Sequence, residues 1–140
     1  MIDTRTAPYA ALVLRVALGV MFLAHSLYLK VFVFTVPGTV GFFESLGLPV
    51  AAAYLTLLAE IGGGLALILG IRTRLVALAV IPVLLGATWV HAGNGWVFSN
   101  QGGGWEYPLF LAVAAVVQAL LGSGAYAVKL PAFIDRRIPA

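Results

Sequence analysis

The sequence predicts an all-α integral membrane protein, a bundle of four transmembrane helices with a short interfacial helix between spans one and two. Two observations carry that expectation. Of the 140 residues, 62% are hydrophobic and only 9% are charged, and the mean hydropathy is +1.06, well outside the range of a water-soluble domain. The apolar residues also run in long stretches. A hydrocarbon core roughly 30 Å thick needs about 20 apolar residues per helix, and nearly every segment between breakers could serve. Residues 1–140 therefore read as one membrane domain. The chain has no cysteine, which excludes thiol redox chemistry, disulfides and thiolate-held metal clusters. Its net charge of +3 is spread over the ends of apolar segments, a pattern that excludes nucleic acid as a partner.

Span one is expected over about 9–34, because Thr35, Pro37 and Gly38 then break the run. Its start is too long for the apolar region of a signal peptide and is interrupted by Arg15, so it is read as part of the mature fold. The stretch "GFFESLGLP" follows as an amphipathic interfacial helix ended by Gly47 and Pro49. Span two, about 50–71, holds a single charge, Glu60, and "IRTR" makes a tight turn. Span three, about 73–91, contains Pro82, a kink that neighbouring helices can satisfy. "HAGNGWVFSNQGGGWEYP" is a polar, glycine-rich loop whose tryptophans suit a membrane interface. Span four, about 105–128, leads into a basic tail over 129–140.

Four spans place both termini on one side. That side carries Arg5, Arg72, Arg74, Lys129, Arg136 and Arg137, and the opposite side only Lys30, so the termini are expected in the cytoplasm. Gly62, Ala66 and Gly70 recur at four-residue spacing on span two. That spacing suits either close packing within the bundle or a homodimer seam.

An ionisable group at membrane depth costs about 2.5–3.5 kcal/mol and so needs a partner or a task. At 1.5 Å per residue, Arg15 lies about 9 Å inside span one, Glu60 lies near the midplane of span two, and Gln118 falls between them. The forked guanidinium suits a carboxylate, and an Arg15–Glu60 pair is expected, with Gln118 as a third member. Such a pair serves either register or function. Nearer the outside, His25 and His91 come to about 24 and 27 Å on the same ladder. Arg15, Leu18, Phe22, His25 and Leu29 follow a heptad stripe that faces partner helices. Lys30, Asn94 and Glu106 reach the same level, and Tyr28, Trp96, Trp105 and Tyr107 surround them. The expectation is an outward polar cup. His25, His91 and Glu106 are its candidates for proton exchange, and Lys30, Asn94 and the four aromatics its candidates for holding a substrate. Two histidines and a carboxylate can bind a metal, but these come from three helices without local ligand spacing, so no metal is assigned. The same groups suit the carbonyls of a quinone or another flat oxygenated molecule, or serve as satisfied polar glue.

Four blocks then resemble the DoxX family of small four-helix bacterial membrane proteins, in order and over nearly the whole chain: "LRVALGVMFLAHSLYLKVF", "LLAEIGGGLALILGIRTRLVAL", "VHAGNGWVF" and "GWEYPLFLAVAAVVQALLGSGAYAV". By this resemblance Arg15, Gly19, Lys30, Glu60, Gly64, Gly70, Thr73, Arg74, His91, Asn94, Gly95, Glu106 and Gly122 stand at the family's typical positions. Ser26 replaces a common glycine, and Val128 and Lys129 replace a serine and an aspartate. The resemblance implies an inner-membrane subunit of a quinone-linked oxidoreductase system, served by a soluble oxidoreductase partner. The other reading is a non-enzymatic scaffold or small-molecule carrier. No flavin, haem or nucleotide motif is present in the sequence, so any redox role needs a bound quinone or a partner.

Overall fold

The chain is all-helical in a computed structural model that describes residues 3–129. Arg136, Arg137 and most of the predicted basic tail lie outside the described residues. Helix α1 (Ala7–Leu23) carries Pro8 in its first turn and runs without a break into a π-helical segment, Ala24–Val33. Then come α2 (Val36–Ser45), α3 (Val50–Leu69), α4 (Thr73–His91) and α5 (Glu106–Leu121). Among the described residues three helices are long and apolar enough to cross a membrane: Ala7–Val33, Val50–Leu69 and Thr73–Asn94; α5, with 16 residues, is a shorter apolar helix.

The packing is that of a membrane bundle. Ala53, Ala77, Ala112 and Ala115 lie in the core, whereas Val13, Leu55, Leu58, Leu78, Leu85, Phe110 and Leu120 point outward. Small residues inside allow backbones to approach, and large apolar ones outside suit lipid. Helices α1 and α3 form one close pair and α4 and α5 another, with α3 also against α4.

The α1–α3 crossing falls at Gly19 and Gly64. A Cβ on Gly19 would stand 2.6 Å from the Gly64 carbonyl oxygen, and one on Gly64 would stand 3.0 Å from the Gly19 oxygen. The predicted stripe is thus displaced by two residues. Gly62 is exposed with open space beside it, and Gly70 is the left-handed residue that ends α3, at φ +76°. Gly19→Val should destabilise the bundle by about 1–3 kcal/mol or more, because the obstacle is backbone that cannot swing aside. Thermal unfolding in detergent measures this, with Gly62→Val as the unaffected control.

The π segment has a local cause. Ser26 Oγ donates to the Phe22 oxygen at 2.7 Å, and His25 Nδ1 lies 2.9 Å from the Met21 oxygen, so two side chains engage carbonyls at the junction. The segment closes with an i→i+5 bond from Phe34 N to Leu29 O. The heptad stripe consequently fails after Phe22. Ser26 is fully buried, Leu29 only partly, and the inward row continues through Lys30.

Two boundaries differ from expectation. The stretch expected at the interface is helical from Val36, with Pro37 in its first turn and the Gly38 amide donating to Thr35 Oγ1. The helix at the position expected for span four, α5, ends at Leu121 and not at 128, because the chain reverses at Gly122 and folds across the end of the bundle. There Ala125 N donates to Pro8 O and Val128 N to Leu69 O.

Candidate functional site

The bundle has a terminal end, formed by the start of α1, the α3–α4 turn and the segment after α5, and a loop end formed by α2 and residues 92–105. The interior polar groups fall into three sets between these ends.

Midway along α3 lies Glu60, buried, nine residues before the helix ends. Its partner is Lys30, whose Nζ lies 2.6 Å from Oε1 and 2.5 Å from Oε2. The Arg15–Glu60 pair expected from depth is therefore replaced by Lys30–Glu60. The π segment explains how. Residues five apart in an α-helix point about 140° apart, whereas i→i+5 closure brings His25 and Lys30 toward one side of the segment. Thr39 Oγ1, buried on α2, donates to the Lys30 carbonyl at 2.8 Å and fixes the backbone from which the ammonium reaches inward. Lys30 thus turns into the bundle instead of snorkelling to the outer interface.

Arg15, 1% exposed, occupies the terminal end. Its guanidinium donates to Leu67 O (2.9 Å) and Ile68 O in the last turn of α3, and to Ser123 O and Ala125 O, both at 2.9 Å, after α5. No carboxylate is needed. The last carbonyls of a helix lack backbone donors and carry the negative end of its dipole, so a buried cation is stabilised there. Gln118 is equally buried but bonds Gly122 O at 2.7 Å, beside this cage and not within it.

Near the loop end His25 stacks on Tyr107 of α5, with ring centroids 5.6 Å apart and planes at 26°. A carbonyl can only accept, so the contact with Met21 O puts the proton of neutral His25 on Nδ1 and leaves Nε2 an acceptor. The Tyr107 hydroxyl is buried and has no hydrogen-bond partner among the described residues. An orphaned buried hydroxyl costs about 1–3 kcal/mol, so it asks for a ligand or a water.

The remaining cup residues build the 92–105 loop instead. His91 Nδ1 and Asn94 Nδ2 converge on Gly102 O at 2.9 and 3.0 Å. Glu106 Oε1 accepts from Phe98 N at 2.9 Å. Trp96 and Trp105 pack edge-to-face at 4.5 Å, while Trp105 N donates to Gly95 O and Glu106 N to Trp96 O. His25 and His91 thus serve different partners. Tyr28 does not join the interior: it is 63% exposed and lines an apolar groove with Val20, Leu23, Ala24, Leu27 and Phe32. Sequence reasoning missed Ser26 and Thr39, the two buried hydroxyls that shape and anchor the π segment. The five-residue spacing of His25 and Lys30 was the available signal.

His25 and Tyr107 together present a ring-nitrogen acceptor and a hydroxyl donor side by side. Among the described residues no cluster of three or more His, Cys, Asp or Glu side chains could hold a metal. No solved structure matches the chain. A curated relative, "Putative oxidoreductase CatD" of Bacillus subtilis (strain 168), is 37% identical over 112 residues, which cover 80% of this chain and 78% of the relative. The DoxX family model matches residues 10–93. With Arg15, Lys30 and Glu60 inside the matched region and α1 to α4 spanning it, this multi-pass membrane protein belongs to the DoxX family.

Proposed function

We propose that the chain is the membrane subunit of a quinone-linked oxidoreductase system, with the quinone ring held by His25 and Tyr107. In this reading α5 is a fourth, shorter span, α2 lies at the outer interface, and the domain sits in the bacterial inner membrane with both termini in the cytoplasm. The cations Arg5, Arg72, Arg74 and Lys129 at the terminal end support that orientation. The observation that carries the ligand reading is the orphaned Tyr107 hydroxyl beside a histidine with an open acceptor. Tyr107 would donate to a ring carbonyl, and His25 Nε2 would take or return a proton at a ring oxygen. A bound quinone supplies two-electron, two-proton redox chemistry, and a soluble partner supplies or removes the electrons. The printed name of the Bacillus subtilis relative, an oxidoreductase, is in keeping with this.

The test is direct. Protein purified in mild detergent should yield quinone in an organic extract and should gain thermal stability with a short-chain quinone. Tyr107→Phe removes one donor and should weaken that binding roughly tenfold, the worth of one hydrogen bond. A clean extract and no thermal shift would sink the reading.

A second reading, a non-enzymatic scaffold or small-molecule carrier, rests on a specific observation. His91, Asn94, Glu106, Trp96 and Trp105 are all engaged in shaping one loop, which makes it a formed surface for a partner protein.

A further inference from the structure

We propose that one edge of the 92–105 loop, formed by Trp96, Val97 and Phe98, dips into the leaflet at the loop end, so that the partner of this edge is lipid. The inference rests on the reading of α5 as a short fourth span and is independent of the quinone. Residues 92–105 contain no charged side chain. Within the loop two unlike edges follow one another. Trp96, Val97 and Phe98 are 54%, 44% and 66% exposed, and Ser99, Asn100 and Gln101 after them are exposed and polar. Adjacent large apolar side chains are costly to leave in water and suit lipid.

Hydrogen bonds hold the two edges at different depths. At the terminal end α4 and α5 are level, since a Cβ on Gly122, just past α5, would lie 3.1 Å from Nε of Arg74 in the first turn of α4. From there the helix Thr73–Asn94, with 22 residues, rises about 33 Å and crosses a hydrocarbon core of roughly 30 Å in full, whereas α5, with 16, rises about 24 Å. The start of α5 therefore lies about 9 Å deeper than Asn94. The apolar edge is tied to that deep start. Trp105 N donates to Gly95 O and Glu106 N to Trp96 O, both at 3.1 Å, and the Phe98 amide donates to Glu106 Oε1 at 2.9 Å. Gly104 permits this approach, because a Cβ there would collide with the Trp96 and Val97 carbonyls. The polar edge is tied to the shallow Asn94 instead. Its Nδ2 donates to Gly102 O at 3.0 Å, and its carbonyl accepts from Asn100 Nδ2 at 2.9 Å.

Irregular backbone beside lipid needs partners from within the protein. The carbonyls of Gly95, Trp96 and Val97 have them, the last from the Asn100 amide at 3.0 Å. Trp96, packed edge-to-face on Trp105, suits the headgroup boundary, and Val97 and Phe98 suit the hydrocarbon just inside it. Tyr107, the next residue of α5 after Glu106, then stands at the depth of lipid and not of water.

The chain has no cysteine, so a single one is a unique labelling site. Phe98→Cys, Gln101→Cys and Phe110→Cys all replace exposed side chains. Each full-length variant carries a nitroxide in phosphatidylcholine–phosphatidylglycerol vesicles and is read for collision with oxygen, which partitions into lipid, and with a water-soluble nickel chelate. The oxygen-to-nickel ratio at Phe98 should approach that at Phe110, on the outward face of α5, and exceed that at Gln101 several-fold. In unlabelled Trp89→Phe protein, where Trp96 and Trp105 remain, bromine on the acyl chains should quench tryptophan fluorescence more than aqueous iodide does. A Phe98 label that meets nickel as freely as Gln101 does, while Phe110 favours oxygen, overturns the proposal and leaves the fourth span standing. Nickel at Phe110 as well overturns both. A Phe98 label shielded from both reagents means that protein, a second copy or another chain, covers the edge, and this too overturns the proposal.

Discussion

Replacing Glu60 by leucine lowers the stability of the folded bundle by about 3–5 kcal/mol, and adding Lys30→Met to that variant restores most of the loss. The single change leaves an ammonium at membrane depth without the carboxylate whose two oxygens it holds. The double change removes both charges and leaves two apolar side chains of similar length. Lys30→Met alone should cost a comparable amount, because the Glu60 carboxylate, 8% exposed, is then the unpaired charge. Unfolding in mixed micelles gives the four corners of the cycle. A strongly non-additive result marks the contact as an ion pair; additive, small effects mean that the two groups are not coupled.

The second large effect belongs to Arg15. Arg15→Lys keeps the charge yet should destabilise the terminal end by several kcal/mol, on the order of 3–5, as for a broken buried polar network. A lysine ammonium has three donors on one atom. It cannot span carbonyls that Nε, Nη1 and Nη2 reach in different directions at Ser123, Leu67, Ile68 and Ala125. Hydrogen exchange should show the loss first at the Ala125 and Val128 amides, which tie the closing segment to Pro8 and Leu69. Unchanged protection there would mean that Arg15 is not what holds this segment.

The helices were legible where chemistry changes sharply at their ends. Pro49 and Gly70 bound α3, and Thr73 and His91 bound α4, so spans two and three fall within two residues of expectation. Span four was read too long because the apolar run continues through Ala125, Tyr126 and Val128, although Gly122 and Gly124 let the chain turn back. The site was less legible, for two physical reasons. A depth ladder at a constant α-helical rise cannot see a π segment, and that segment decides that Lys30, not Arg15, meets Glu60. Sequence patterns also pair charges with charges, whereas the best partners for Arg15 are backbone oxygens at a helix end. Glu106 shows the same limit, since the Phe98 amide it accepts from is invisible to any search for ionisable partners. His91 and Asn94, one helical turn apart, both reach Gly102 O, and a proximity of that kind is local in sequence.

The central claim is that the polar interior is organised around a Lys30–Glu60 contact delivered by a π-helical turn. The chain has only two lysines, Lys30 and Lys129, and three glutamates, Glu44, Glu60 and Glu106. Magic-angle-spinning NMR on protein in lipid, labelled with 15Nζ-lysine and 13Cδ-glutamate, can therefore read the contact directly. One strong dipolar coupling should appear, and it should vanish in Lys30→Met while surviving Lys129→Met. A Glu60 carboxyl coupled instead to an arginine guanidinium, with no lysine coupling, would contradict the account.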